Sequence, residues 1–298
     1  MTSQLLLGND AIALGLTQNE CRVVTAYPGT PSSEILAGVV KFKKKLNRDI
    51  YTEWSASEKV AFEVALAASW SGLRAAVTMK QVGLNVAADS LFSAAYTGVV
   101  GGFVVVPCDD PGPHSSQTEQ DSRLLALTAK VPVFDPSTPA ETMTMLKAAF
   151  ELSEKHRMPV IMRPTTRVCH AVQSIDVADT GLLPLKGNSG FKKDQQRWAA
   201  TPVFRLKLHH ELNAKLQTIE SEFESSPLNY VSRVCICAEK NTECQCKPAE
   251  GIQPLGIISS GVVFHTAREA LSELKTSVPI LKIGTPYPLP RKLVADFA

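Results

Sequence analysis

The chain has 298 residues, enough for one large or two modest domains with a substantial core. Its 31 Lys and Arg against 29 Asp and Glu give no electrostatic footprint for nucleic acid or an anionic membrane. No run approaches the ~20 apolar residues of a membrane span, and Met1-Thr-Ser-Gln-Leu-Leu-Leu-Gly-Asn9 lacks the basic start and long apolar stretch of an export signal. The basic run Lys41-Phe-Lys-Lys-Lys45 reads as the solvated face of a helix. Seven cysteines, split between lone sites and one cluster, suit a reducing compartment, so a soluble cytoplasmic protein is expected.

From residue 9 to about 170, short β-branched runs at 23–26, 50–53, 75–79, 103–107, 131–134 and 160–163 alternate with helical periodicity. The runs are apolar rather than alternating, which predicts an α/β fold with a doubly wound, mostly parallel sheet covered on both faces. Thr30 is placed as a helix N-cap with Pro31 in the first turn, Gly72 ends a helix over 61–71, and Asp135-Pro-Ser-Thr138 opens a helix running to 155. Residues 173–253 break this rhythm and are assigned to a connector with one helix over 208–224. A strand at 255–259, a helix at 262–274 and a strand at 278–283 then form an incomplete second α/β unit within 254–298. Such a unit buries too little area to stand alone, so a partner or further chain is expected to complete it.

Two strand-to-helix junctions carry candidate chemistry. Glu58 precedes the apolar positions Val60, Ala61, Val64 and Ala65, and a carboxylate facing a dry interior has its pKa raised and can share a proton with a ring nitrogen. Ser55-Ala-Ser-Glu58 equally fits a capping box, with Ser55 as N-cap and Glu58 at the third helical position. Gln81-Val-Gly-Leu-Asn85 follows a strand; it reads either as an ordinary loop or as a place where Gly83 lets backbone approach a ring closely. His114, Ser115, Ser116 and Gln117 lie in a donor-rich loop at another strand end, ahead of Asp121 as a cap. Tyr27, Trp54 and Phe92 are available as aromatic walls, but are expected in the core. The pairs Cys235, Cys237 and Cys244, Cys246 either hold zinc or a cluster or form an exposed hairpin of free thiols; their one-residue spacing is tight for zinc. His209-His210 is expected on the surface. Phosphate-loop and Gly-x-Ser-x-Gly patterns are absent, and Gly98-Val-Val-Gly-Gly102 precedes its strand, against a dinucleotide fingerprint.

In order, Tyr27-Pro-Gly-Thr-Pro-Ser-Ser-Glu34, Glu53-Trp-Ser-Ala-Ser-Glu-Lys59, Thr78-Met-Lys-Gln-Val-Gly-Leu-Asn-Val-Ala-Ala-Asp89 and Asp109-Asp-Pro-Gly-Pro-His-Ser-Ser-Gln-Thr-Glu-Gln-Asp121 resemble the thiamine-diphosphate-dependent 2-oxoacid:ferredoxin oxidoreductases. The branch they are most similar to is the large subunit of the indolepyruvate enzymes. The resemblance covers residues 5 to about 172 and resumes over 254–298, where Thr285-Pro-Tyr-Pro-Leu-Pro290 also matches. It implies a pyrimidine-binding domain over 1–172 and the start of a transketolase C-terminal-like domain over 254–298. By this resemblance Glu58 is the carboxylate that bonds the pyrimidine ring nitrogen and drives its amino group toward the imino form. Thr30 is the threonine facing substrate and cofactor, and Gln81, Gly83 and Asn85 adjoin the cofactor. His114, Ser115, Ser116 and Gln117 would then select the substrate. The activity implied is oxidative decarboxylation of a 2-oxoacid, with coenzyme A taking the acyl group and ferredoxin the electrons through iron–sulfur clusters.

The match is partial. The Gly-Asp-Gly motif that holds magnesium and the diphosphate occurs nowhere in the chain, and the family's cysteine-rich ferredoxin-like end is missing. A small subunit or a missing C-terminal portion is therefore the expected partner, in an oligomer, and the isolated chain is expected to lack turnover. The rival possibilities are a non-catalytic or assembly paralogue that binds a partner chain, and an oxidoreductase for a different 2-oxoacid.

Overall fold

A computed structural model describes residues 2–177, 190–233, 255–276 and 278–298. Its strands are β1 (Thr2–Leu7), β2 (Val23–Ala26), β3 (Tyr51–Trp54), β4 (Ala75–Lys80), β5 (Phe103–Cys108), β6 (Val133–Phe134), β7 (Val160–Met162), β8 (Val172–Val177), β9 (Asn229–Arg233), β10 (Ile257–Ser259) and β11 (Pro279–Ile283). Six of them form the expected sheet, in the order β3-β2-β4-β5-β7-β6, and every neighbouring pair is parallel. Helices on both faces explain why β2 and β5 are buried at every position and need no polar alternation. The run at 131–134 pairs only from Val133 to Phe134, because Pro132 has no N–H to give the ladder, although its carbonyl accepts from the Ile161 N–H at 2.8 Å. β1 and β8 form a separate antiparallel ribbon.

The helix Pro139–His156 starts as expected: Thr138 caps it by accepting from the Glu141 N–H at 3.2 Å, with proline in the first turn. The helix Glu58–Trp70 is followed by Gly72 at φ +89°, and Asp121 caps the helix Ser122–Ala129. The long helix Pro202–Phe223 begins earlier than expected and lays Leu212, Ile219 and Phe223 into the main core. His210 is exposed as expected, whereas His209 is half-buried. Its ring stacks on Tyr96 and shares a 2.9 Å hydrogen bond with the Tyr96 hydroxyl.

The second unit gains a strand that the sequence did not signal. β11 pairs in parallel with β10 and antiparallel with β9, which lies inside the stretch assigned to the connector. Its apolar core is small, built on Phe264, Leu271 and Ile280. The unit is tied to the larger body instead. The Val133 N–H donates to the Tyr287 carbonyl and the Asp135 N–H to the Gly284 carbonyl, both at 2.8 Å, while Ser260 Oγ donates to Asp135 Oδ2 at 2.7 Å. Lys282 is fully buried on β11, donates to Ser137 Oγ at 3.0 Å and to Glu141, and sits over the Phe264 ring. Burial pushes the Lys282 pKa down against the pull of Glu141, while Lys282 and Ser137 outweigh burial at Glu141 and hold its carboxyl below the usual range. Among the described residues no helix is long and apolar enough to cross a membrane.

Removing one partner of this pair leaves the other charge uncompensated. Lys282→Met is expected to lower unfolding free energy in urea by about 3 kcal/mol. Adding Glu141→Gln should recover much of that loss.

Candidate functional site

The chain leaves β2 for β3 on one side and returns past β2 to β4 on the other, so β2 has both as neighbours. At such a switch point the carboxyl ends of the strands diverge and open a crevice. The segments following β2, β3, β4 and β5 all end here, and they contain the residues singled out above.

Glu58 is the first residue of the helix Glu58–Trp70. The expected capping box does not form. The N-cap is Ser57, whose hydroxyl accepts from the Val60 N–H at 3.4 Å, while Ser55 donates to Glu53 Oε1 at 2.7 Å. Glu58 lies on the same helix face as the buried Ala61, Phe62 and Ala65, but at the helix's first position. It is therefore half-buried at a rim rather than facing a dry interior, and Val60 beside it is 41% exposed. Its carboxylate leans over Gly83: a Cβ added there would lie 2.5 Å from Glu58 Cγ and 2.8 Å from Oε1. Among the described residues no hydrogen-bond donor or cation meets that carboxylate.

Thr30 is not the N-cap. The N–H groups of Ser32 and Ser33 both donate to the Gly29 carbonyl, at 2.7 and 3.2 Å, and Ser33 Oγ accepts from the Gly29 N–H at 2.9 Å. This turn uses up the positions a helix would start from, and the helix runs Ser33–Lys45 with Ser32 at its cap position. Pro31 accordingly lies outside the helix, after a cis Thr30–Pro31 peptide. The Thr30 side chain is exposed at the crevice, and its carbonyl accepts from Ser115 Oγ at 3.3 Å.

The segment after β4 is a short helix, Gln81–Val86, rather than an ordinary loop. Gln81 is 2% exposed; its amide donates to Ser116 Oγ at 2.9 Å, and its Oε1 has no partner among the described residues. Asn85 lies further along the helix with its side chain exposed, and nothing joins it to the others. The loop after β5 is pinned from below by Asp110. Its Oδ2 accepts from the Ser115 N–H (2.8 Å), Ser115 Oγ (3.3 Å) and Ser116 Oγ (2.7 Å), and its Oδ1 from Thr166 Oγ1 (2.9 Å). Burial opposes ionisation here, but these donors outweigh it and hold the Asp110 carboxyl well below the ordinary Asp range. His114 and Gln117 project outward with exposed side chains.

The structure thus brings together Glu58, Gly83, Gln81, Ser115, Ser116 and the Thr30 backbone, and leaves Asn85, His114 and Gln117 at the surface. Two residues were missed. Asp110 stood inside a quoted motif as one of two adjacent acids at a strand end, which was a usable signal. Lys80 also lies inside a matching segment, directly before Gln81, and its Nζ donates to the Ser115 carbonyl at 2.6 Å. Trp54 is not core: it ends the edge strand β3 and is 48% exposed, and Val86 is 52% exposed. Tyr27 is half-buried, and Phe92 packs against the core. Cys235, Cys237, Cys244 and Cys246 lie outside the described residues. Among the described residues there is no cluster of His, Cys, Asp or Glu suited to a metal.

Two features of this crevice fit a planar, nitrogen-bearing ring such as the aminopyrimidine of thiamine diphosphate. One is an unpartnered carboxylate lying over a position where any side chain would displace it; the other is the orphaned, buried amide oxygen of Gln81.

Residues 15–223 match the family described as pyruvate flavodoxin/ferredoxin oxidoreductase, thiamine diphosphate-binding. Over 98% of its length the chain is 44% identical to the indolepyruvate oxidoreductase subunit IorA of Thermococcus kodakarensis and 43% identical to that of Archaeoglobus fulgidus. It spans 43% and 44% of those two proteins. It is 26% identical to the 2-oxoglutarate synthase subunit KorA of Methanothermobacter thermautotrophicus, over 60% of this chain and 49% of that one. The fold is similar to that of a 2-oxoglutarate:ferredoxin oxidoreductase from Magnetococcus marinus, with a TM-score of 0.71 at 17% identity, covering 99% of this chain and 56% of that one.

Gly83→Ala is expected to leave stability within about 1 kcal/mol of the parent, since a helical Gly→Ala gain offsets the displacement of a flexible side chain. Its effect should be local, moving the Glu58 carboxylate off position 83, as a crystal structure of the variant would show. Because the Asp110 pKa is depressed in the folded chain, its stabilisation is present above the unfolded value of about 3.9 and is lost as pH falls through the folded one. Asp110→Asn should therefore make the loop 111–120 cleave faster in limited proteolysis at neutral pH, where the parent loop stays protected.

Proposed function

The chain belongs to the thiamine diphosphate-binding family of pyruvate flavodoxin/ferredoxin oxidoreductases, and on that premise we propose that it is the N-terminal, pyrimidine-binding portion of a 2-oxoacid:ferredoxin oxidoreductase acting on an arylpyruvate such as indolepyruvate. The observation that carries this is the Glu58 carboxylate, unpartnered among the described residues and held over Gly83 at the switch-point crevice. The arylpyruvate assignment is supported by 44% identity to an indolepyruvate oxidoreductase subunit, against 26% to a 2-oxoglutarate synthase subunit.

Thiamine diphosphate, when bound, supplies a carbon nucleophile for the 2-oxo carbon and a sink for the electron pair that carbon dioxide leaves behind. Glu58 holds a proton at the pyrimidine ring nitrogen and returns it, which is general acid/base work on the cofactor. Gly83 would leave space for the ring, and the free amide oxygen of Gln81 would be available to accept a hydrogen bond from it. Thr30 and the loop of Ser115 and Ser116 face the substrate, with His114 and Gln117 at its outer edge. Asn85, exposed further along the helix Gln81–Val86, is assigned to the cofactor side by the family resemblance alone.

In this proposal residues 1–172 form the pyrimidine-binding domain, 173–253 the connector, and 254–298 the opening of the transketolase C-terminal-like domain. Magnesium, the diphosphate site and the iron–sulfur clusters belong to the remainder of the protein or to a partner subunit. Coenzyme A and ferredoxin are the co-substrates, and the chain alone does not turn over.

The test is Glu58→Gln in the assembled enzyme. The variant is expected to assemble normally by gel filtration and to lose about 10²–10⁴-fold of its 2-oxoacid-dependent viologen reduction. Unchanged turnover would remove Glu58 from the chemistry.

A further inference from the structure

Lys80 ends β4 at the switch point, and its stem crosses Gly29 in the turn after β2. A Cβ on Gly29 would lie 3.0 Å from Lys80 Cβ and 3.6 Å from Cδ, so the path of this lysine depends on that glycine. Lys80 is half-buried as a residue, and its ammonium group, at the exposed end, donates to the Ser115 carbonyl at 2.6 Å and to Ser115 Oγ at 3.2 Å. Ser115 Oγ in turn reaches the Thr30 carbonyl at 3.3 Å. One lysine therefore joins three of the segments that line the crevice.

Its charge is not neutralised by these contacts. Among the described residues no carboxylate lies within ion-pair distance of Lys80, whereas Lys59 on the neighbouring helix has Asp89 at 2.8 Å. Asp110, which shares Ser115 with Lys80, is already saturated by Ser115, Ser116 and Thr166. A carbonyl and a hydroxyl orient an ammonium group and leave it one N–H and a full positive charge to offer. An anion arriving in the crevice meets that charge on an ammonium group already held in place by Ser115, and a charge-assisted hydrogen bond to it is stronger than one between neutral groups.

We propose that the Lys80 ammonium group is the subsite that receives the carboxylate of the 2-oxoacid, fixing the acid end beside Thr30. This rests on the function proposed above and assigns its substrate recognition to a residue outside the loop of His114 to Gln117. Ser115 is then a positioning residue that aims Lys80, and Asp110 acts through Ser115. The cofactor's diphosphate is the other anion a lysine could meet, and the experiment separates the two.

The test uses the assembled enzyme and two unreactive probes, phenyllactate and phenyllactamide, which differ only in the charge at the acid end. In calorimetry the parent is expected to favour the acid by about 10–100-fold, the range of one charge-assisted hydrogen bond. Lys80→Met should abolish that preference, and Lys80→Gln, which keeps a donor for Ser115 without the charge, should abolish it too. Lys80→Arg should restore part of it. Retention of the parental ratio in Lys80→Met or Lys80→Gln overturns the assignment and, if the parent still oxidises phenylpyruvate, leaves the proposed function standing. Weakened thiamine diphosphate binding with an unchanged acid-to-amide ratio overturns it in favour of the diphosphate. A parent that neither oxidises phenylpyruvate nor binds phenyllactate overturns both proposals.

Discussion

Everything at the crevice depends on β2 being flanked by the two strands that follow it, β3 on one side and β4 on the other. A sheet wound in one direction would make β3 and β4 direct neighbours, with no strand between the segments that follow them. Winding outward from β2 in both directions brings them across a gap one strand wide. Close approach then becomes a steric question, and it is met at Gly83, where the Glu58 side chain occupies the volume that any other residue would need.

The charges of the crevice divide into those already satisfied and those held in reserve. Asp110 spends its capacity on its own loop, and its depressed pKa is the electrostatic signature of that expenditure. Glu58 and Lys80 have opposite signs, each without an oppositely charged partner among the described residues. Among the described residues they are not paired with each other either, so both stand uncompensated at the same crevice.

Most strands were legible because burial on both faces demands continuous apolar runs, and Phe103–Cys108 could hardly be anything else. β9 was not, because Asn-Tyr-Val-Ser-Arg is an edge strand with Tyr230 and Val231 exposed, and its polarity is that of a connector. The N-caps failed for a different reason. Ser55 and Ser57 are equal candidates in sequence, and Glu53 decides between them by taking the Ser55 hydroxyl. Thr30 lost its place to a turn closed on the Gly29 carbonyl, which no propensity at Thr30 foretells. Glu58 is legible as a candidate through motif spacing, whereas the unpaired charge of Lys80 is a property of its surroundings that no spacing announces.

The seam between the two units has a mechanical corollary. Residues 133 to 141 are stitched to the C-terminal sheet by two main-chain bonds, the Ser260 hydroxyl and the buried Lys282 ammonium. These ties span both the end of β6 and the first turn of the helix behind it, so no single peptide could serve as a pivot between the units. They are built to travel as one block. The loop suspended from Asp110, by contrast, is held by a few hydrogen bonds rather than by a whole interface.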